Sequence, residues 1–158
     1  MSEFVIRRAT EADTDGIAQT RAASIRGVCA KDYSPEQIES WAGELPAESH
    51  LEFMGKSHYL VAEDDDQLLG FGVADLEGAE ILALYVHPEA LGRGVGRSLL
   101  QAMEGASRDA GRDALQLLST LTAVGFYERM GYARGEDTSH TLRSGIEMAC
   151  VRMRKVLG

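Results

Sequence analysis

Residues 82–100 read LALYVHPEALGRGVGRSLL: an apolar run of strand type, a proline that cannot continue a ladder, a loop carrying Gly92, Gly94 and Gly96, and then a helical pattern. No other stretch restricts the chain so tightly. Glycines lack Cβ atoms, so successive backbone N–H groups can close around an anion, and the first turn of a helix adds about half a positive charge from its dipole. Arg93 and Arg97 place cations beside the same turn. Strand, glycine turn and helix in this order make a phosphate-binding element within a layered α/β fold.

Spacing separates the classes of phosphate ligand. A P-loop carries Lys and then Ser or Thr after its last glycine, whereas Gly96 is followed by Arg97-Ser98. A dinucleotide fingerprint is GxGxxG in the first strand-to-helix turn with an acidic residue about 20 positions on; here the glycines run GxGxG and lie past mid-chain. Nucleoside triphosphate, NAD and FAD are therefore disfavoured. A purely structural turn, with glycine chosen only for positive φ, is the remaining alternative.

The flanking pattern gives the frame. Phe4–Arg8 reads as a strand, and Glu11, Asp13 and Thr14 suit the positive end of a helix. Apolar residues at 17, 18, 25, 28 and 29 follow at helical spacing, and Ser34-Pro35-Glu36 opens a second helix through Trp41. Tyr59–Ala62 and Leu68–Asp75 flank Glu63-Asp64-Asp65-Asp66, an acidic run read as a hairpin tip in solvent rather than a metal site. Ile81–Val86 is a buried-type strand, Val95–Ala110 an amphipathic helix ended at Gly111, and Leu115–Leu118 a strand. Thr122–Met130 reads as a helix closed by Gly131, and Glu147–Lys155 as a strand with alternating faces. The expected result is one α/β domain over residues 1–158. Its mixed central sheet should have roughly six to seven strands, flanked by about four helices, two of them ahead of a three-strand meander.

Charge and special residues exclude other classes. With 16 Lys+Arg against 25 Asp+Glu, the formal charge of -9 repels nucleic acid and anionic membrane and favours cationic acceptors. A polyanionic cofactor would need a concentrated local site, which the glycine turn supplies. MSEFVIRRAT has no long apolar segment and no 18 apolar residues run together, so neither signal peptide nor membrane span is expected. Cys29 and Cys150 lie far apart, without CxxC spacing or a neighbouring His, and His50, His58 and His140 lack ligand spacing. No metal and no disulfide framework is expected, and the expected compartment is a reducing cytoplasm.

The segment Leu91-Gly92-Arg93-Gly94-Val95-Gly96 resembles the [Q/R]xxGx[G/A] signature of the GNAT N-acetyltransferase superfamily, with both signature glycines in place and leucine at the leading Gln/Arg position. Ala123-x-x-Phe126-Tyr127-Glu128-x-x-Gly131-Tyr132 resembles the family's AxxFYxxxGF block, and Thr120 stands where many members carry Asn. The resemblance covers most of residues 57–135. It implies an acetyl-CoA cosubstrate and acetyl transfer to a primary amine, a small molecule rather than a protein, by direct attack in a ternary complex. A non-catalytic CoA-binding regulatory module is the alternative.

The same resemblance implies roles for individual residues. The turn of Gly92, Arg93, Gly94, Val95, Gly96 and Arg97 would hold the CoA pyrophosphate on its backbone amides. Leu84 and Val86 would pair with the pantetheine arm, with the Val86 amide facing the thioester oxygen, and Thr120 would make a polar contact. Tyr127 falls on a tyrosine that serves as general acid near the CoA sulfur. Glu80 falls at the register of a glutamate base, or is a solvated carboxylate at the strand entry. Tyr33, Trp41 and Tyr85 are candidate walls of an acceptor pocket, and homodimers are common in the family.

Overall fold

In the computed structural model, which describes residues 3–158, seven strands form one mixed sheet in a single α/β domain. They are β1 (Val5–Arg8), β2 (His58–Asp64), β3 (Gln67–Asp75), β4 (Glu80–Val86), β5 (Ala114–Thr120), β6 (Ala133–Thr141) and β7 (Glu147–Val156), in spatial order β1-β2-β3-β4-β5-β7-β6. β2, β3 and β4 form the expected antiparallel meander, whereas β4 and β5 are parallel. Parallel neighbours need a long crossover, and helix α4, numbered in chain order below, supplies it.

Five helices accompany the sheet among the described residues: α1 (Thr14–Val28), α2 (Pro35–Ala42), α3 (Ala47–Met54), α4 (Val95–Asp109) and α5 (Val124–Arg129). Three of them, not two, precede the meander. The extra helix, α3, has two turns and buries only His50, while Leu51 and Phe53 face solvent. It therefore carries no apolar stripe from which helical periodicity could be read. No helix among the described residues is long and apolar enough to cross a membrane.

Alternation along β2 sorts the core into layers. Leu60 and Ala62 join Val95, Leu99, Leu100 and Met103 of α4 on one face, while Tyr59 and Val61 join Ile17 of α1 and Phe71 on the other. Helix α4 lies close against β3, since a Cβ on Gly72 would come within 2.7 Å of the Met103 methyl carbon. A third cluster ties α1 and α2 to β7 through Ile25, Tyr33, Trp41 and Met148. The hairpin tip is narrower than the acidic run suggests, because Glu63 and Asp64 belong to β2. They pair with Arg7 and Arg93, each at 3.0 Å.

Glu104, only 3% exposed within the α4 core, accepts from the Tyr132 hydroxyl at 2.8 Å and pairs with the Lys155 ammonium at 3.1 Å. Lys155 also donates to the Met130 carbonyl. Removing one partner of a buried pair leaves the other charge without compensation, so Lys155→Met should lower unfolding free energy by about 3 kcal/mol. Urea denaturation reads the effect; a loss below about 1 kcal/mol would show that this pair behaves as an exposed one.

Candidate active site

β4 and β5 are joined only at Glu80–Gln116 and Ile81–Leu117, and then they part. Each is held on its far side. β3 pairs with β4 as far as Val86, across an irregularity that leaves Leu82 without a partner position, and β7 pairs with all of β5. The N–H of His87 donates to Leu69 of β3. Because N–H groups alternate along a strand, those of Val86 and Leu84 point the other way, into the gap. Buried backbone donors need partners, and here the neighbouring strand supplies none.

Two cavities meet at this gap. The first, about 480 Å³, is bounded by the glycine turn, the start of α4, α5 and the end of α1. The second, about 340 Å³, is bounded by α1 to α3 and the β7 side of the sheet. Ile81, Leu82, Tyr85, Leu118 and Thr120 border both.

Gly92 and Gly94 both have φ of 83°, and a Cβ on either would meet nothing within 4 Å. Positive φ, not crowding, calls for glycine, and the space before the turn is open. Gly94 caps α4, whose first turn contains no acidic residue. The early N–H groups of the helix therefore face the cavity without intrahelical acceptors. Gly92, Val95, Gly96 and Arg97 border this cavity, as do Leu84, Val86, Thr120 and Tyr127.

The Arg93 side chain is engaged away from the glycine turn. Its Nη2 pairs with Asp64 at 3.0 Å and its guanidinium lies 6.0 Å from the centre of the Phe4 ring. The side chain borders a separate hollow beside the hairpin, so of the two arginines only Arg97 adjoins the glycine-turn cavity. The pairing partner lies 29 residues away in sequence, beyond what the motif could reveal.

Tyr127 and Glu80 stand on different sides of the gap. Tyr127 borders only the first cavity, packed edge-on against Phe126 and Tyr132 with ring centres 5.2 and 5.6 Å away. Burial, helped by the nearby Tyr85 hydroxyl, pushes its phenol well above the ordinary value near 10, so it is protonated at neutral pH. Glu80 is half-buried at the start of β4 and borders only the second cavity. His87 accepts the Glu89 N–H on Nδ1 at 3.1 Å, a local cap for the short turn after β4.

Aromatic rings wall the second cavity, as expected for Tyr33, Trp41 and Tyr85. Trp41 lies 5.9 Å from Tyr33 and 6.2 Å from Tyr85, centre to centre. The Tyr33 hydroxyl donates to the Ala149 carbonyl and accepts the Leu121 N–H, which fastens the segment before α2 to β7 and to the end of β5. Two further groups carry no sequence signal. Arg21, 4% exposed, donates to the Trp41 carbonyl at 3.1 Å and lies 3.8 Å from Glu44. His50 contacts the Tyr59 hydroxyl through Nδ1 at 3.1 Å, and its buried Nε2 has no partner among the described residues.

Burial, reinforced by the Arg21 charge, lowers His50 from 6.5 to about 4. The unfolded chain therefore takes up a proton as pH falls through 6.5 that the folded chain refuses until about 4. Stability is complete above that window and declines within it, by about 3 kcal/mol at most from this group. Urea midpoints at successive pH values should fall less steeply for His50→Gln than for the parent chain. Parallel profiles would assign the acid loss to other groups.

The profile of the acetyltransferase (GNAT) domain matches residues 29–157. The chain is 33% identical over 112 residues to the IAA acetyltransferase of Azospirillum brasilense, covering 62% of this chain and 73% of the relative. It is 30% identical over 80 residues to the peptidyl-lysine N-acetyltransferase YiaC of Escherichia coli (strain K12), covering 51% of this chain and about half, 53%, of that one. A crystal structure of a GCN5-related N-acetyltransferase from Rhodopseudomonas palustris superposes with a TM-score of 0.92 at 28% identity, over 99% of this chain and 97% of the other. The PaiA N-acetyltransferase of Thermoplasma acidophilum, solved in complex with coenzyme A, shares the fold with a TM-score of 0.79 at 23% identity, over 98% and 99% of the two chains. The matched profile spans the sheet from β2 to β7 with the glycine turn and α5, and this chain belongs to the GNAT acetyltransferase family.

Proposed function

We propose that the protein transfers the acetyl group of acetyl-CoA to the primary amine of a small molecule by direct attack in a ternary complex. One observation carries the reading: β4 loses its neighbour beside a cavity that ends on the bare N-terminal turn of α4. Coenzyme A is laid out to match, with a pyrophosphate for the turn and an amide-bearing arm that can pair with β4 as an added strand. Leu84 and Val86 bind the arm through their gap-facing backbone groups. The amides of residues 92–97 hold the pyrophosphate, with the Arg97 side chain beside them and Arg93 contributing its backbone alone.

Acetyl transfer forms an N–C bond as the thioester C–S bond breaks. The Val86 N–H, aimed into the gap, stabilises charge developing on the thioester oxygen. Tyr127 faces the departing sulfur. Its raised phenol makes outright proton transfer to a thiolate of ordinary pKa, about 8.5, uphill. Tyr127 therefore acts chiefly by donating a hydrogen bond to the sulfur as charge builds there. Glu80, on the acceptor side, takes the amine proton directly or through water, and Thr120 contributes a polar contact at the junction of the cavities.

Direct attack is supported by the cysteines. Cys29 and Cys150 are buried, and burial pushes both thiols above their ordinary range, whereas an acyl-cysteine route needs a thiolate. A small acceptor is supported by the second cavity, which α1 to α3 close over and which aromatic rings of the helices and strands line. The test is thiol release from acetyl-CoA against a panel of amines, expected only when an amine is present. A stoichiometric burst without amine would contradict direct attack. Cofactor binding with no release for any amine would favour the regulatory module.

A further inference from the structure

We infer that the acceptor is an amino acid with an aromatic side chain, whose carboxylate is held by Arg21 in the second cavity; this rests on the acetyl-transfer reading above. A buried guanidinium needs a paired anion and acceptors for its five N–H donors. Arg21 has one hydrogen bond of ordinary geometry, to the Trp41 carbonyl. Glu44, 3.8 Å away, is beyond hydrogen-bond distance, and its other oxygen takes the Arg143 N–H at 3.0 Å. Trp41 and Glu44 use part of the Arg21 fork, and the donors left over are the ones a ligand carboxylate would take.

A second group in the same cavity has an unmatched ring nitrogen. His50 is 2% exposed and its Nε2 makes no hydrogen bond among the described residues. Trp41, Tyr33, Tyr85 and Phe71 form an aromatic part of the wall around a space of about 340 Å³, beside aliphatic side chains such as Leu118 and Met148. Arg21 also sits near the reacting end: its guanidinium carbon is 5.8 Å from the centre of the Tyr85 ring, and Tyr85 borders both cavities.

In an α-amino acid one carbon bears both carboxylate and amine. A carboxylate on Arg21 thus brings the amine to the gap where the acetyl group would lie. The ammonium first gives one proton to solvent; the neutral amine nitrogen then gains the acetyl carbon, the C–S bond breaks, the second amine proton passes to Glu80 or water, and coenzyme A leaves as a thiolate that takes a proton from solvent. An amine without a carboxylate would instead approach the Arg21 guanidinium with no anion of its own to offer it. A free amino acid carries no net charge at neutral pH, so the overall charge of -9 does not steer it away.

The test compares L-phenylalanine with phenethylamine, and L-tryptophan with tryptamine, in thiol release from acetyl-CoA by the parent chain. Binding of N-acetyl-L-phenylalanine and N-acetylphenethylamine is measured by calorimetry in parallel. The carboxylated member of each pair should be favoured by at least about 10-fold in kcat/KM and in product affinity. Arg21→Gln should abolish that preference and Arg21→Lys should keep only part of it, both with coenzyme A affinity unchanged. Equal use of the paired compounds, or preference for the decarboxylated ones, overturns the inference and leaves acetyl transfer standing. Should Arg21→Gln fail to fold, the parent-chain comparison still decides. If coenzyme A does not bind, the acetyl-transfer reading falls and the inference with it.

Discussion

Gly94→Asp is expected to weaken coenzyme A binding at least 100-fold while leaving the fold intact. Gly94 holds φ of 83° with open space before it, and aspartate is among the few residues that visit this conformation at modest cost. The effect on the ligand has two sources. A carboxylate at the N-cap of α4 accepts the same first-turn N–H groups that the pyrophosphate would use. It also places like charge within a few ångströms of the phosphates, a repulsion of roughly 1–4 kcal/mol per charge pair at 4 Å between aqueous and near-surface dielectrics. Together these exceed the roughly 2.7 kcal/mol that a 100-fold change requires. Calorimetric titration of parent and variant reads the difference, and an affinity within threefold of the parent would remove the turn from the binding site.

Tyr127→Phe should lower kcat by about 100-fold, with KM for acetyl-CoA within about threefold of the parent. The substitution keeps the ring that packs between Phe126 and Tyr132 and removes only the hydroxyl, so a packing role predicts almost no kinetic change. Because burial holds the phenol protonated well past neutrality, the parent should show no loss of rate on the alkaline side near pH 10 from this group. Equal kcat in parent and variant would reduce Tyr127 to part of the α5 core.

The glycine turn and α4 were legible because their signals are local. Positive-φ glycines and an apolar stripe at 95, 99, 100 and 103 lie within one short segment, and the two motif blocks made the family recognisable. Helix α3 was not legible because its eight residues bury only one side chain. The parting of β4 and β5 is a matter of register among strands distant in sequence, so nothing within Glu80–Val86 announces that its outer edge is bare. The pairing of the Arg93 side chain with Asp64 was not legible, because the motif contains no trace of a residue on β2.

Arg21 and His50 were missed for a related reason. Arg21 sits among helical positions where a charged residue ordinarily faces water, and its burial follows from the way α2 and α3 close over α1. His50 lies on the helix that sequence did not reveal, and its partner Tyr59 belongs to β2. The second cavity is assembled from side chains of four or more elements, whereas the glycine turn that borders the first is written in one continuous stretch.

The central claim is that the gap between β4 and β5 and the adjoining turn form a coenzyme A site. Its most direct test is calorimetric titration of the parent protein with acetyl-CoA, CoA, ATP and NAD. Saturable binding of both CoA species at one site per chain, with ATP and NAD at least about 100-fold weaker, is the predicted result. Absence of CoA binding, or equal affinity for ATP or NAD, would contradict the account.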